Sequence, residues 1–432
     1  RYPNFAALAG DATWFRNAYS VYDSTTKAVP LILDGMKPHA GTAADRRYHP
    51  HSIYDMFARH GYRIVDSEEA TALCPPSICH GGRTRRPAII PNLLGGRPQR
   101  FNRWVRSIKA GKPTPWGKHV LLPHGPYLYL PSGARTRPGP GDLLRGMNSV
   151  PGFRDEFLTR HNEQRYLLQL GFTDRLLGRL VGQLKREGIY DDTLIVATAD
   201  HGIAFQVGVQ TRRSVSQSNV EELTPVPLFV KRPGQRRGRI SDAYARTLDV
   251  TPTIADVLGW KLGYRADGHS AFGPITRRRN SVTLTTRDFS AIVRVPGRRW
   301  EARRRAVVRR RLRQFGSGDL ASLYTGIGPH RNLIGRQAPS AARAAGRAAL
   351  SEAGLFADVR RASGVVPTQI TGDLAGGRAG ATRDLAVAVN GRIEAVGRSF
   401  YLDGDRTEHF ALMVPESALH EGRNSIELFE VA

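Results

Sequence analysis

Hydrophobic and polar positions alternate in two different ways along the chain. Up to about residue 275, short apolar runs alternate with segments of helical spacing. The run 194–199 is continuously apolar, as central strands of parallel sheets are, and similar runs predict strands at 119–122 and 226–230. Leucines recur at helical spacing over 156–185 and predict one long helix. This alternation predicts an α/β domain with a mainly parallel sheet flanked by helices.

The first 35 residues predict a helix, a strand over 13–21 and a second helix. The second helix follows Asp23-Ser24-Thr25-Thr26, residue types that favour a helix N-cap. A further helix is predicted over 247–258, where Thr251-Pro252 marks its first turn.

The pattern changes after residue 275. Arginine clusters and small residues dominate 276–364, with a helix predicted around 339–353. From residue 365, short alternating segments separated by Gly and Asp turns predict a small β-sandwich. The predicted organisation has three parts. They are an α/β domain, large enough for a catalytic domain, at 1–275, a basic connector with helices at 276–364 and a small β domain at 365–432.

Composition narrows the class of protein. The chain has 432 residues, with 64 Lys and Arg against 38 Asp and Glu, a net charge of +26. This charge suits an anionic membrane, an acidic polymer or nucleic acid, although scattered arginine also arises without any ligand. Zinc-finger spacing and aromatic RNA-binding signatures are absent, so nucleic acid is the weaker interpretation. No apolar stretch is long enough to span a membrane.

Two short segments carry candidate chemistry at predicted strand and helix ends. Asp200-His201-Gly202 follows the apolar run 194–199, where a carboxylate and an imidazole are well placed to hold a divalent metal. Ser24, Thr25 and Thr26 stand at a predicted helix start, whose amide groups favour an anion and an ionised hydroxyl. Each has a plainer alternative, since Asp and Thr also cap helices and turns.

Three further positions belong to the candidate set. His124 lies in the strand-end loop Pro123-His124-Gly125-Pro126 and could contact an anionic ester or a leaving oxygen. Cys74 and Cys79 enclose a short loop; a disulfide there suits an extracytoplasmic protein, and free thiols or metal binding are the alternatives.

Several motifs in this order resemble the sulfatase-like branch of the alkaline phosphatase/sulfatase superfamily. They are Pro3-Asn4 with Leu8-Ala9, the hydroxyl segment at Thr25, His124-Gly125-Pro126, Asp200-His201-Gly202, Asp249-Val250-Thr251-Pro252-Thr253 and Asp267-Gly268-His269-Ser270. The resemblance covers residues 2–275. It implies an alkaline phosphatase-like fold and a hydrolase or transferase acting on sulfate or phosphate esters.

The resemblance also implies roles for individual residues. Thr25 falls on the nucleophile position, Asp200 and His201 on metal-ligand positions, and His124 on a substrate-binding position. The implied cofactor is a divalent cation, Zn²⁺ by preference and otherwise Mn²⁺, Mg²⁺ or Ca²⁺, which Thr25 would also contact. Lys27, Arg212 and Arg213 are added as candidate contacts to the anionic group.

The chain departs from the family pattern at three points. It lacks the Cys/Ser-x-Pro-Ser-Arg motif of formylglycine sulfatases, so a Thr nucleophile resembles phosphoethanolamine and phosphoglycerol transferases more closely. No His lies between Gly202 and Glu221. The family's acidic first strand is also missing, and we expect it upstream of Arg1, after a membrane anchor or signal.

The sequence therefore predicts a metal-dependent ester hydrolase or transferase outside the cytoplasm, acting on envelope lipid or glycan. An anionic membrane surface is a further candidate partner. The alternative is a non-catalytic, basic envelope-binding protein that keeps the same fold.

Overall fold

The computed structural model describes residues 1–37, 39–141, 154–208, 215–339, 347–378, 380–402 and 406–431. Within these ranges the chain forms ten α-helices and fifteen β-strands. The helices are α1 (Pro3–Asp11), α2 (Thr25–Asp34), α3 (Ile53–Arg59), α4 (Ile89–Leu94), α5 (Arg97–Arg106), α6 (Glu156–Arg186), α7 (Val220–Leu223), α8 (Val250–Leu258), α9 (Pro274–Arg277) and α10 (Gly297–Phe315). The strands are β1 (Thr13–Phe15), β2 (Ile64–Ser67), β3 (Cys79–His80), β4 (Trp116–Lys118), β5 (Ile195–Thr198), β6 (Leu228–Lys231), β7 (Arg239–Ser241), β8 (Ser281–Thr285), β9 (Ile292–Pro296), β10 (Arg347–Leu350), β11 (Gln369–Ala375), β12 (Asp384–Val389), β13 (Arg392–Arg398), β14 (Glu408–Met413) and β15 (Ile426–Glu430).

The predicted α/β architecture is confirmed in the first 275 residues. One sheet has the strand order β5-β6-β1-β7, and a second, all-parallel sheet has the order β3-β2-β4. Strands β1 and β7 are also parallel, whereas β6 runs antiparallel to both of its neighbours. The C-terminal region adds antiparallel sheets, as the alternating pattern there predicts.

Helices cover both faces of the four-stranded sheet. Successive side chains of a strand point to opposite faces, so β6 shows which helices lie on which side. Leu228 and Val230 pack in one core with residues of α3 and α8. Phe229, between them, packs in another core with Leu8 of α1 and Leu177 of α6. The sheet therefore lies between two layers of helices, and this three-layer arrangement contains the candidate site.

Two predicted strands differ from the structure. Residues 119–122 form no strand; the strand lies just before them, at β4. The partner strand β2 ends at Ser67, whose carbonyl oxygen accepts the amide of His119, so the residues after His119 have no strand to pair with. The predicted strand over 13–21 is shortened to β1.

The predicted helix around 339–353 is wrong where the structure describes it. Residues 347–350 form strand β10, which pairs antiparallel with β11, and residues 340–346 lie outside the described ranges. Small residues favour a helix, but the free edge of β11 offers ladder hydrogen bonds that override this preference. The long helix of this region is instead α10, which a β8–β9 hairpin precedes.

Two three-stranded antiparallel sheets form the C-terminal region. Their strand orders are β10-β11-β14 and β13-β12-β15, and side chains of both sheets share one core. Phe157 and Leu158 at the start of α6 pack into the same core. This helix therefore joins the β region to the α/β region, where its later residues lie.

Candidate active site

Thr25 is the first residue of α2. Ser24 precedes the helix in an extended conformation, and its carbonyl oxygen accepts hydrogen bonds from the amides of Lys27 and Ala28. The Thr25 side chain therefore stands among the free amide groups of a helix start, where negative charge is stabilised. At the other end, Gly35 ends α2 with a φ of 71°, a conformation that glycine adopts without strain.

Asp200 and His201 follow strand β5. Gly202 then turns the chain so closely against α7 that a Cβ there would lie 2.3 Å from the carbonyl oxygen of Glu222. The His201 Nδ1 atom lies 2.8 Å from the carbonyl oxygen of Gly202, and Nε2 lies 3.5 Å from Asp200 Oδ2. With Nδ1–H donating to that carbonyl, Nε2 is free to act as an acceptor or a ligand.

The structure brings Thr25, Asp200 and His201 together. The Thr25 hydroxyl lies close enough to the Asp200 carboxylate to help lower its pKa, and all three residues line the same cavity. Burial raises the pKa of Asp200, but the adjacent His201, the nearby His119 and the Thr25 hydroxyl outweigh it and lower the pKa. Asp200 is therefore held as a carboxylate beside a hydroxyl at a helix start.

His119 is a site residue that the sequence analysis did not single out. It follows β4 directly and lines the same cavity as Asp200, and each of these two groups shifts the pKa of the other. Its Nδ1 atom is buried and has no hydrogen-bond partner, and burial lowers the pKa of its ring. A neutral imidazole with an unused nitrogen is suited to bind an anion or a proton. Its position after a strand, matching that of Asp200, is the signal that could have revealed it.

His124 lines the cavity from a loop that buried side chains hold in place. Arg97 is fully buried and donates to the carbonyl oxygens of Leu121, His124 and Pro126. Gln169 of α6 donates to the same His124 carbonyl at 2.9 Å. The loop therefore keeps its shape through hydrogen bonds from two side chains that do not themselves reach the reacting groups.

The cavity that these residues share has a volume of about 1190 Å³. Seven consecutive residues, 116–122, and eight more, 192–199, line it. Because alternate residues of a strand point to opposite faces, unbroken runs of lining residues mean that the cavity runs along the edges of β4 and β5. The wall is largely apolar, with Asp200, His201, His119 and His124 as its polar groups near Thr25.

The remaining predicted contacts are placed elsewhere. The Lys27 ammonium donates to the carbonyl oxygens of His39 and Thr42, and its side chain is not part of the cavity wall. Arg212 and Arg213 lie outside the described residues. Cys74 and Cys79 form a disulfide, with Cα atoms 5.7 Å apart, in the core beneath α3.

A buried carboxylate supports the loop after His201. Glu222 Oε2 accepts the amide of Phe205 at 3.1 Å and pairs with Arg311 of α10 at 3.3 Å. Arg311 also contacts Glu163 of α6 at 2.6 Å, and Arg310 contacts the same carboxylate at 2.9 Å. We call Glu163, Glu222, Arg310 and Arg311 the inner ion cluster. It fixes α10 to α6 and to the loop that carries His201.

The inner ion cluster keeps its most buried carboxylate charged. The Glu163 side chain is completely buried. Burial raises its pKa, but Arg311, Arg310 and Arg160 outweigh that effect and the pKa is lowered. Such a buried carboxylate stays charged only because its arginines remain in place.

A second buried carboxylate predicts how stability depends on pH. Burial raises the pKa of Asp66 in β2 to about 8, helped by the nearby Glu68. The unfolded chain releases this proton near pH 4, so between about pH 4 and pH 8 the folded state binds more protons and loses stability as pH rises. We expect the melting temperature to fall over this interval, and Asp66→Asn to flatten the fall. Asn keeps an acceptor for Tyr54, whose hydroxyl donates to Asp66 at 2.9 Å.

The control for this prediction is Asp191→Asn, which neutralises an exposed carboxylate. Its melting temperature should follow the wild-type pH profile. An Asp66→Asn profile as steep as that of the wild type would contradict the assignment.

The donors near Thr25 fit a divalent cation in chemical type. A carboxylate, an imidazole nitrogen and a hydroxyl are all ligands of zinc and manganese in proteins. His201 is oriented by its Nδ1 contact, as metal-binding imidazoles commonly are. Across the described ranges, no group of three or more His, Cys, Asp and Glu side chains is arranged to hold a metal. The side chains at this site that could contact a cation are therefore those of Asp200, His201 and Thr25.

Comparison with known proteins shows what the chain is similar to. Residues 98–260 match the Sulfatase family model. The alkaline phosphatase-like fold agrees with two solved structures. One is a candidate sulfatase of Bacteroides thetaiotaomicron, with a TM-score of 0.51 and 15% identity, covering 72% of this chain and 86% of that one. The other is a 2-O GAG sulfatase, with a TM-score of 0.50 and 14% identity, covering the same shares.

Two curated relatives match about half of this chain. The multifunctional alkaline phosphatase superfamily protein PehA of Trinickia caryophylli is 33% identical over 49% of this chain and 48% of its own length. Lipoteichoic acid synthase of Staphylococcus saprophyticus is 25% identical over 56% of this chain and 34% of its own length. The match spans half or less of these relatives. The resemblance predicted from the motifs is confirmed at the level of the superfamily.

Proposed function

We propose that this protein hydrolyses or transfers sulfate or phosphate esters, with Thr25 as the nucleophile. The observation that supports this most directly is the position of the Thr25 hydroxyl, at the start of α2 and in the same cavity as Asp200 at the carboxyl end of β5. A hydroxyl at a helix start, beside a carboxylate and an imidazole in one cavity, has the components of covalent ester catalysis.

Each residue has a defined role in the proposed reaction. The Thr25 oxygen bonds to the phosphorus or sulfur while the bond to the ester oxygen breaks. Water or an acceptor hydroxyl then releases the group from Thr25. The helix start and His119 face the charge of the transferred group, and His124 contacts the leaving oxygen.

A divalent cation held by Asp200 and His201 would lower the pKa of the Thr25 hydroxyl and polarise the ester. In this proposal Asp200 orients the Thr25 hydroxyl, and the Gly202 carbonyl fixes the His201 ring. The cation dependence belongs to the proposal, with zinc preferred.

The relatives and one covalent feature support an extracytoplasmic role. A lipoteichoic acid synthase and an alkaline phosphatase superfamily protein are among the relatives, which suits phosphate esters of the cell envelope. The Cys74–Cys79 disulfide suits an oxidising compartment. No helix in the described part of the chain is long and apolar enough to cross a membrane.

Metal removal and a substrate panel test this function. We expect the purified chain to cleave a nitrophenyl sulfate, a phosphate monoester or a phosphodiester, to lose activity on dialysis against EDTA, and to regain it with Zn²⁺ or Mn²⁺. Asp200→Asn should lower both metal affinity and turnover by about 10-fold or more, while Asp191→Asn should leave both unchanged. Absence of turnover on every ester, with metals present, would favour the non-catalytic envelope-binding alternative.

A further inference from the structure

The arginines of α10 divide into two sets according to the face of the helix. Trp300 is fully buried and marks the inner side. Four arginines on the same side of the helix as Trp300 have partners within the protein. Arg303 pairs with Glu221 at 2.6 Å, Arg304 donates to Asn17 at 2.8 Å, and Arg310 and Arg311 belong to the inner ion cluster. These charges are already neutralised or hydrogen-bonded and are not available to a ligand.

The opposite side of the helix carries a second, largely unpaired set. Its exposed residues are Arg298, Arg299, Ala302, Arg305, Ala306, Val308, Arg309, Leu312 and Arg313, which we call the outer face. Arg298, Arg299, Arg309 and Arg313 make no hydrogen bond or ion pair with any described residue. Arg305 pairs only with Glu301, one turn away at 3.2 Å. No acidic residue belongs to the outer face.

Two aliphatic side chains lie between these arginines. Val308 is 47% exposed and Leu312 is 46% exposed, and their spacing of four places them on adjacent turns. An isolated exposed aliphatic residue needs no explanation, but two neighbours in a basic, acid-free stripe form a pattern. Helices that lie on anionic bilayers combine basic side chains for the head groups with apolar side chains that enter the interface.

We propose that the outer face of α10 is a docking surface for an anionic lipid bilayer. The arginines would contact lipid phosphates, and Val308 and Leu312 would enter the head-group region. A soluble polyanion such as nucleic acid would use the arginines but gain little from the aliphatic pair, so the bilayer is the better match. The proposal extends the envelope location in the proposed function, and its test measures binding, so either can fail alone.

Vesicle co-sedimentation of the full chain tests the proposal. The probes are vesicles of phosphatidylcholine alone and of phosphatidylcholine mixed with phosphatidylglycerol. We expect binding to the mixed vesicles only. Arg309→Gln/Arg313→Gln should weaken it roughly 30-fold, since each basic residue near the surface contributes about a fivefold factor. Val308→Ser/Leu312→Ser should weaken it at least about threefold.

The matched control is Arg103→Gln/Arg106→Gln, which removes the same charge from two exposed, unpaired arginines of α5. It should bind like the wild type. Equal losses in the α5 and α10 variants would overturn the proposal in favour of net charge alone. Wild-type binding by Val308→Ser/Leu312→Ser, with loss in the arginine variant, would overturn it in favour of a general polyanion site. All six substitutions are on exposed residues, and circular dichroism would check that the variants are folded.

Discussion

Replacing Thr25 by alanine is expected to lower turnover of the best ester substrate by at least ~10³-fold, because no other hydroxyl in the cavity stands beside Asp200 at a helix start. The change removes the bond-forming atom and leaves the cavity wall in place. Steady-state kinetics on the substrate selected by the panel would measure the loss. Substrate affinity should change much less, because the proposed binding groups remain.

Thr25→Ser is the matched variant, since it keeps the hydroxyl and removes only a methyl group. It should retain activity within about 10-fold of the wild type, and mass spectrometry of the quenched enzyme should detect the phospho- or sulfo-group on residue 25 in both active forms. Wild-type turnover by Thr25→Ala would exclude the residue as nucleophile. Loss of activity in both variants with unchanged metal binding would assign Thr25 a role in packing.

Removing the Glu163 carboxylate is expected to have the largest effect on stability. Glu163→Gln leaves Arg160, Arg310 and Arg311 facing one another without their shared anion. Breaking a buried ion network from one side costs about 3–5 kcal/mol, and denaturant unfolding would measure the change in free energy. The exposed Asp191–Arg236 pair is the control, and Asp191→Asn should cost ~1 kcal/mol or less.

The same variant should loosen the loop after His201. The Phe205 amide donates to Glu222, whose other partner is Arg311. Hydrogen exchange at Phe205 should therefore accelerate in Glu163→Gln and Glu222→Gln under native conditions. In the double variant Glu163→Gln/Arg311→Met, part of the lost free energy should return, because one uncompensated charge has been removed. Exchange rates equal to those of the wild type would show that the inner ion cluster does not stabilise the loop.

The sequence predicted those parts of the fold that depend on local pattern. The long helix, the strand after Asp192 and the helix at Thr25 form where periodicity and capping residues place them. Asp200 and Thr25 were found because strand ends and helix starts can be recognised along the chain. His119 was missed because the apolar run 119–122 seemed to continue a strand that in fact ends at Lys118.

Interactions between distant segments could not be predicted in this way. Glu163 and Arg311 are 148 positions apart, and nothing in either segment indicates the other. The basic segment was therefore interpreted as a single charged stretch, although three of the nine arginines of α10 pair with buried acids. Strand β10 was missed for a related reason, since its pairing depends on the edge of β11 and not on its own residues.

The two sides of α10 should respond differently to salt. Charges in water are screened over about 8 Å at physiological ionic strength, whereas buried pairs are screened much less. The arginines of the outer face would lose most of their attraction for a distant anion as salt rises. The arginines that pair with Glu163 and Glu222 would keep most of their interaction with these carboxylates. The inner side of α10 therefore keeps its contacts with α6 and with the loop after His201 over a wide range of ionic strength, whereas the charge interactions of its outer face weaken as salt rises.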